Sequence, residues 1–151
     1  MLKNATKVSK NIKETKEIAK IFLENILKEK SKKKGALVVG LSGDLGAGKT
    51  TFVQAIAKHL GVKNKVNSPT FVIIKKYALK NKKHKFLFHL DAYRLKNENE
   101  LLSLGWEDMI NDDNYLVFIE WPENVLGAVP LYTKNIHILT DKNNHKHFKF
   151  K

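Results

Sequence analysis

No cysteine occurs in this 151-residue chain, so a disulfide framework, a thiolate metal site and a thiol nucleophile are all excluded. No apolar run reaches the roughly 18 residues that span a bilayer. The opening MLKNATKVSKNIKETKE has no apolar core of the kind a secretory leader needs. These absences predict a soluble, cytoplasmic protein with no membrane contact. Arginine is almost missing too. Arg94 is the only one, although Lys and Arg together number 28 against 15 Asp and Glu, giving a formal net charge of +13. A field of that sign attracts polyanions. Lysine, however, does not reproduce the planar fork with which arginine reads bases. The lysines are also scattered through turns and helix faces, so the charge reads as a solvated surface before it reads as a nucleic-acid face. The six histidines show no metal-ligand spacing with acids. Neither G-x-S-x-G nor a Ser-His-Asp order is present.

What is present begins with ordinary globular composition, 42% hydrophobic and 28% charged, in a chain long enough to bury a core and expected to form one domain over residues 1–151. The informative stretch is VVGLSGDLGAGKTTF at residues 38–52. It reads as a buried strand (38–42), a glycine loop (43–48) and the start of a helix, and it contains G-x-x-x-x-G-K-[ST] as Gly43, Gly48, Lys49 and Thr50. Glycines let successive main-chain N–H groups converge on one anion. The helix that follows adds its unsatisfied N–H groups and positive dipole end. In such a phosphate loop the lysine reaches the β/γ-phosphates and the hydroxyl ligates Mg2+. The loop residues Asp44, Leu45, Gly46, Ala47 and Gly48, with Lys49, Thr50 and Thr51 after them, are therefore the candidate nucleotide cradle.

The remaining elements follow from periodicity and punctuation. Residues 1–10 are polar and read as frayed or edge structure. Residues 13–30 carry apolar positions at helical spacing (Ile18, Ala19, Phe22, Leu23, Ile26, Leu27), with Asn11 or Thr15 as the cap. The helix after the loop runs to Leu60 and stops at Gly61. Residues 71–78 and 85–90 read as strands joined by the short connection 80–85, hence antiparallel. Short helices are predicted over 97–105 and 106–111, and a fully apolar strand over 115–120. Residues 135–140 and 145–150 are predicted to pair as an antiparallel hairpin at the sheet edge. The class is α/β: a mostly parallel central sheet, extended by antiparallel strands and flanked by helices.

A second metal contact in this fold type comes from an acid at the C-terminal end of a core strand. Asp91, after KFLFHL, and Glu120, after YLVFI, both qualify, and the sequence does not rank them. Together with Lys49 they are the candidate catalytic set. Ser68 and Thr70 flank Pro69, and Thr70 reads either as a hydroxyl sensing the γ-phosphate or as turn chemistry. Arg94 is placed to offset transition-state charge or to brace the loop against a carboxylate. Trp121 either stacks on adenine or packs at the sheet edge. His89 shares the sheet face of Asp91 and reads as a hydrogen-bonded, semi-buried histidine or a partner of the metal sphere.

The ordered set Gly43-Asp44-Leu45-Gly46-Ala47-Gly48-Lys49-Thr50-Thr51-Phe52, Ser68-Pro69-Thr70-Phe71, His89-x-Asp91-x-Tyr93-Arg94 and Glu120-Trp121-Pro122-Glu123 resembles the TsaE (YjeE) family. These are small P-loop ATPases needed to make N6-threonylcarbamoyladenosine in bacterial tRNA. The resemblance implies an ATP/ADP site with Mg2+ and weak intrinsic hydrolysis. It also implies association with the TsaB–TsaD heterodimer, with tRNA engaged indirectly through that complex. Residue by residue, it implies that Lys49 binds phosphate, that Thr50 and Glu120 bind Mg2+, and that Asp91 belongs to the metal and water environment. Ser68, Thr70 and Arg94 fall in switch-like segments, Trp121 near the nucleotide and Thr15 near the adenine. The sequence departs from the family at Ala55, where a glycine is usual. It departs again in the tail DKNNHKHFKFK, which lacks an arginine that some relatives carry, so a nucleotide contact from that segment is not expected. Two other readings compete: a P-loop small-molecule or nucleotide kinase, disfavoured by a single arginine and no lid-sized insertion, and a basic nucleic-acid-binding module.

Overall fold

The computed structural model describes residues 2–29, 34–63, 74–80 and 82–151. Seven strands form one sheet: β1 (Thr6–Ser9), β2 (Leu37–Ser42), β3 (Ile74–Ala78), β4 (Phe86–Asp91), β5 (Tyr115–Glu120), β6 (Lys134–Thr140) and β7 (Lys146–Phe150). Their order is β1-β7-β6-β2-β5-β4-β3. The core β6-β2-β5-β4 is parallel, and the outer pairs β3–β4, β6–β7 and β1–β7 are antiparallel. The predicted α/β class and mostly parallel sheet with antiparallel extensions are what the structure has.

Strands β2 and β5 lack polar alternation because helices or turns cover both faces. On one face Val39, Leu41, Leu116, Phe118, Ile136 and Phe148 pack under α1 (Ile12–Lys28) and α2 (Lys49–His59). On the other, Val38, Leu90, Val117 and Ile119 meet α3 (Glu98–Leu102), α4 (Trp106–Ile110) and the 3-10 segment Pro122–Ala128. Asn11, not Thr15, caps α1: its side chain accepts from the Glu14 N–H at 2.9 Å. Thr15 is instead buried against Ser9, their hydroxyl oxygens 2.6 Å apart.

One expectation needs correction. The C-terminal strands do form an antiparallel hairpin, but it is not the edge. Residue pairs Val39↔Lys134 to Ser42↔His137 join β6 in parallel to β2, and β1 closes over β7. Ile136 and Ile138 are buried, and filling the α1/α2 face with them draws the hairpin inward. The sheet ends instead at β1 and β3. The predicted strand over 71–78 is described only from Ile74 onward.

Candidate functional site

The phosphate loop connects β2 to α2 at the C-terminal edge of the parallel sheet. Gly43 has φ +148°, and a Cβ there would lie 2.5 Å from the Ile138 carbonyl oxygen, so only glycine lets the loop leave the sheet beside β6. Gly48, at φ +106°, is the N-cap of α2 and has no side chain to occupy the helix's free N–H groups. Those N–H groups remain available to an anion from outside. Lys49 is 4% exposed. Its Nζ donates to the Gly43 carbonyl and, at 2.9 Å, to the Asp44 carbonyl. Burial pushes this ammonium below its ordinary pKa, while Glu120, Glu123, Asp91 and Asp44 pull it back up.

Glu120 ends β5 directly beside Asp91, the last residue of β4, and beside Leu41 of β2. It is 4% exposed. The Thr50 hydroxyl, in the first turn of α2, donates to Glu120 Oε2 at 3.0 Å and lies 3.3 Å from Oε1. His89 Nε2 also meets Oε2, at 2.5 Å. Asp91 is half-buried, and its Oδ1 accepts from the Tyr93 N–H at 2.9 Å. Burial raises the Asp91 pKa, the Tyr93 N–H opposes this, and Glu120 adds to the rise. The hydroxyl, the two carboxylates and the lysine, placed 71 positions apart at most in the sequence between Lys49 and Glu120, thus meet at one point.

A cavity of about 360 Å³ opens over this cluster, lined by Gly48, Lys49, Thr50, Asp91, Arg94 and Trp121 among others. Trp121 has φ +60°, a left-handed conformation that costs a bulky residue about 1–3 kcal/mol and concentrates at functional sites. The bend sets its ring 4.3 Å from Lys49 Nζ and 5.0 Å from the Tyr93 ring centre. On the far side of the loop, Ser9, Thr15, Gly46, Thr51, Asn144 and Lys146 line a separate cleft of about 210 Å³. Trp121 and Thr15 therefore lie on different sides of the loop, Trp121 with the lysine and Thr15 in the side cleft.

One contact escaped the sequence reading. Lys146, from the tail, donates to the Gly46 carbonyl at 3.1 Å and to Thr140 Oγ1 at 3.0 Å. The tail therefore does reach the loop. Nothing in the spacing marks this lysine among so many, and only the inward position of β6 brings it there. His89 is hydrogen-bonded, as its sequence position predicts, but it is wholly buried, not semi-buried, and its partner is Glu120. The two-residue offset from Asp91 was the available signal. Ser68 and Thr70 lie outside the described residues.

The donor set is one of hard oxygens, Thr50 Oγ1 and the Glu120 and Asp91 carboxylates, which suits Mg2+. No group of three or more His, Cys, Asp or Glu residues that could hold a metal occurs among the described residues. A magnesium site takes one or two carboxylates and completes its shell with phosphates and water. No helix among the described residues is long and apolar enough to cross a membrane.

Comparison with known proteins gives one consistent result. The family model for "Threonylcarbamoyl adenosine biosynthesis protein TsaE" matches residues 9–148. The chain is 40% identical over 130 residues to the tRNA threonylcarbamoyladenosine biosynthesis protein TsaE of Rickettsia typhi, covering 84% of this chain and 82% of that one. It is 38% identical over 120 residues to the Bacillus subtilis protein of the same name, covering 80% and 68%. The crystal structure of Bacillus subtilis YdiB superposes with a TM-score of 0.74 at 29% identity, covering 99% of this chain and 86% of that chain.

Proposed function

This chain belongs to the TsaE family, which acts in threonylcarbamoyladenosine biosynthesis on tRNA, and from that premise we propose that it is a single-domain cytoplasmic ATPase. It binds ATP with Mg2+, hydrolyses it slowly to ADP and phosphate, and thereby supports a TsaB–TsaD heterodimer, meeting tRNA through that complex. The observation that carries the reading is the contact of Thr50 with Glu120 at 3.0 Å beside a buried Lys49, under a glycine loop that leaves helix N–H groups unoccupied.

In this reading the loop amides of residues 44–48 and Lys49 hold the phosphate chain. Lys49 exchanges the carbonyls of Gly43 and Asp44 for phosphate oxygens, which are stronger acceptors because they are charged. Thr50 and Glu120 hold Mg2+, which when bound neutralises charge on the phosphates. Asp91, with its raised pKa, accepts a hydrogen bond from the attacking water and orients it. Arg94 at the cavity mouth and the hydroxyls of Ser68 and Thr70 form switch-like segments that respond to the γ-phosphate. Thr15 and its cleft take the adenine side, and Trp121 shields the phosphate end from solvent.

Titration calorimetry of the full chain with ADP and ATP, with and without Mg2+, tests the reading directly. Saturable heat that strengthens with Mg2+ is expected, with slow phosphate release, no phosphoryl transfer to nucleosides and a changed rate on adding TsaB–TsaD. Absence of heat with either nucleotide in Mg2+ overturns it. Transfer to a nucleoside favours a kinase, and activation by RNA alone favours a nucleic-acid-binding module.

A further inference from the structure

We infer that His89 is a positioning residue: by gripping one oxygen of Glu120 it fixes the carboxylate so that the other oxygen is offered to a divalent cation. This rests on the reading of Glu120 as a metal ligand given above.

His89 sits on β4 opposite Phe118, one side-chain step before the Asp91↔Glu120 pair. It is therefore diagonal to Glu120 on the same sheet face, within reach of a long side chain. Its ring is 0% exposed, so it touches neither solvent nor a nucleotide in the cavity. Nε2 stands 2.5 Å from Glu120 Oε2, whereas Oε1 takes only the 3.3 Å contact from Thr50, itself part of the phosphate site. A carboxylate has about four lone-pair sites on two oxygens. Holding it by Oε2 restricts its rotation and leaves Oε1 with the long Thr50 contact alone.

A purely space-filling role does not explain this residue. Its neighbours on the same face, Leu87 and Phe118, are apolar, and a leucine would fill the volume without burying polar nitrogens. His89 Nδ1 has no hydrogen-bond partner among the described residues. The ring's polarity thus serves one contact, the one to Glu120. A neutral ring donating through Nε2 leaves Nδ1 with a lone pair and not a stranded N–H.

The experiment measures ADP affinity of the full chain by calorimetry across a Mg2+ series, for wild type, His89→Gln, His89→Asn and His89→Leu, with thermal midpoints recorded for each. Glutamine keeps an N–H near the place of Nε2. Asparagine is polar but too short, and leucine cannot donate. Partners that orient metal ligands typically contribute about 10–100-fold in metal affinity. The Mg2+ concentration giving half the metal-dependent gain is therefore expected to rise by about that factor in the Asn and Leu variants. In His89→Gln it is expected to stay within about threefold, with metal-free ADP affinity unchanged in all. Should the Leu variant not fold, the Asn and Gln pair carries the comparison. Four equal Mg2+ curves overturn the inference while leaving the nucleotide site intact. So does a loss that follows the thermal midpoint and appears equally without metal. A wild type that binds ADP with no Mg2+ dependence removes the metal site itself, and this inference with it.

Discussion

The two ends of the parallel strands handle charge in opposite ways. At the C-terminal ends, Lys49 and Glu120 are each 4% exposed and locked to Thr50, His89 and loop carbonyls. At the N-terminal ends, Glu29 and Lys134 pair at 2.5 Å with side chains 45% and 34% exposed. Lys34 and Lys83 there are exposed around a cavity of about 510 Å³. A neighbouring cavity of about 720 Å³, lined in part by Lys3, Lys28 and Lys151, adjoins it. Both are larger than the 360 Å³ space above the phosphate loop. Volume therefore does not single out the candidate site here. Convergent, buried polar groups do. Burying ions costs several kcal/mol each unless they are well paired, so the Lys49–Glu120 cluster is held against a cost that the exposed Glu29–Lys134 pair does not meet.

The sharpest way to break the contrast is Lys49→Ala. Removing the buried cation should weaken nucleotide binding at least about 100-fold, since it deletes the charge-assisted contact to phosphate, as calorimetry would show. Glu120→Gln comes next. It keeps the shape and a partner for Thr50, and it should lower Mg2+-dependent phosphate release by about 100-fold or more. Metal-free ADP binding and the fold should stay intact, and a normal hydrolysis rate would refute the metal assignment.

A subtler test lies on the turn between β6 and β7, at the loop end but outside the cluster. The Asp141 carboxyl accepts from His147 Nε2 at 2.8 Å and from the His145 and Asn143 N–H groups, with His147 the largest cause of its pKa falling from 3.8 to about 2. A depressed carboxyl stabilises the fold above its unfolded value and loses that contribution as pH falls through the folded one. Urea midpoints of the wild type should therefore drop between pH 4 and pH 2 more steeply than those of Asp141→Asn. The smallest effect is expected at the far end. Glu29→Gln should change stability by less than about 1 kcal/mol and nucleotide affinity not at all. A larger change in affinity would show that the exposed end shares in the site.

Much of this was legible in the chain. The continuous apolar runs before Gly43 and before Glu120 announce strands covered on both faces, and the short lysine-rich connection at 80–85 announces an antiparallel pair. Each is a local signal. The insertion of β6 beside β2 is not local: its polar–apolar alternation is that of any half-buried strand, and only the unfilled α1/α2 face selects its place. Lys146 on Gly46 follows from that placement, so it was invisible for the same reason. Asp91 and Glu120, alike in sequence, differ in their partners in three dimensions, where Glu120 meets Thr50 while Asp91 turns to the Tyr93 amide.

The sheet order also imposes a timetable. Strand β2, which carries the phosphate loop, is flanked by β5 and β6, and both emerge from the ribosome long after it. During synthesis its two edges wait without partners, and Gly43 cannot settle beside Ile138 until residue 138 has been made. Contacts so far apart in sequence form slowly and leave unpaired strand exposed meanwhile. The part of the molecule that is readable earliest is thus among the last to take its working shape, and a ribosome stalled before residue 134 would hold a chain whose motif is complete and whose grip is not.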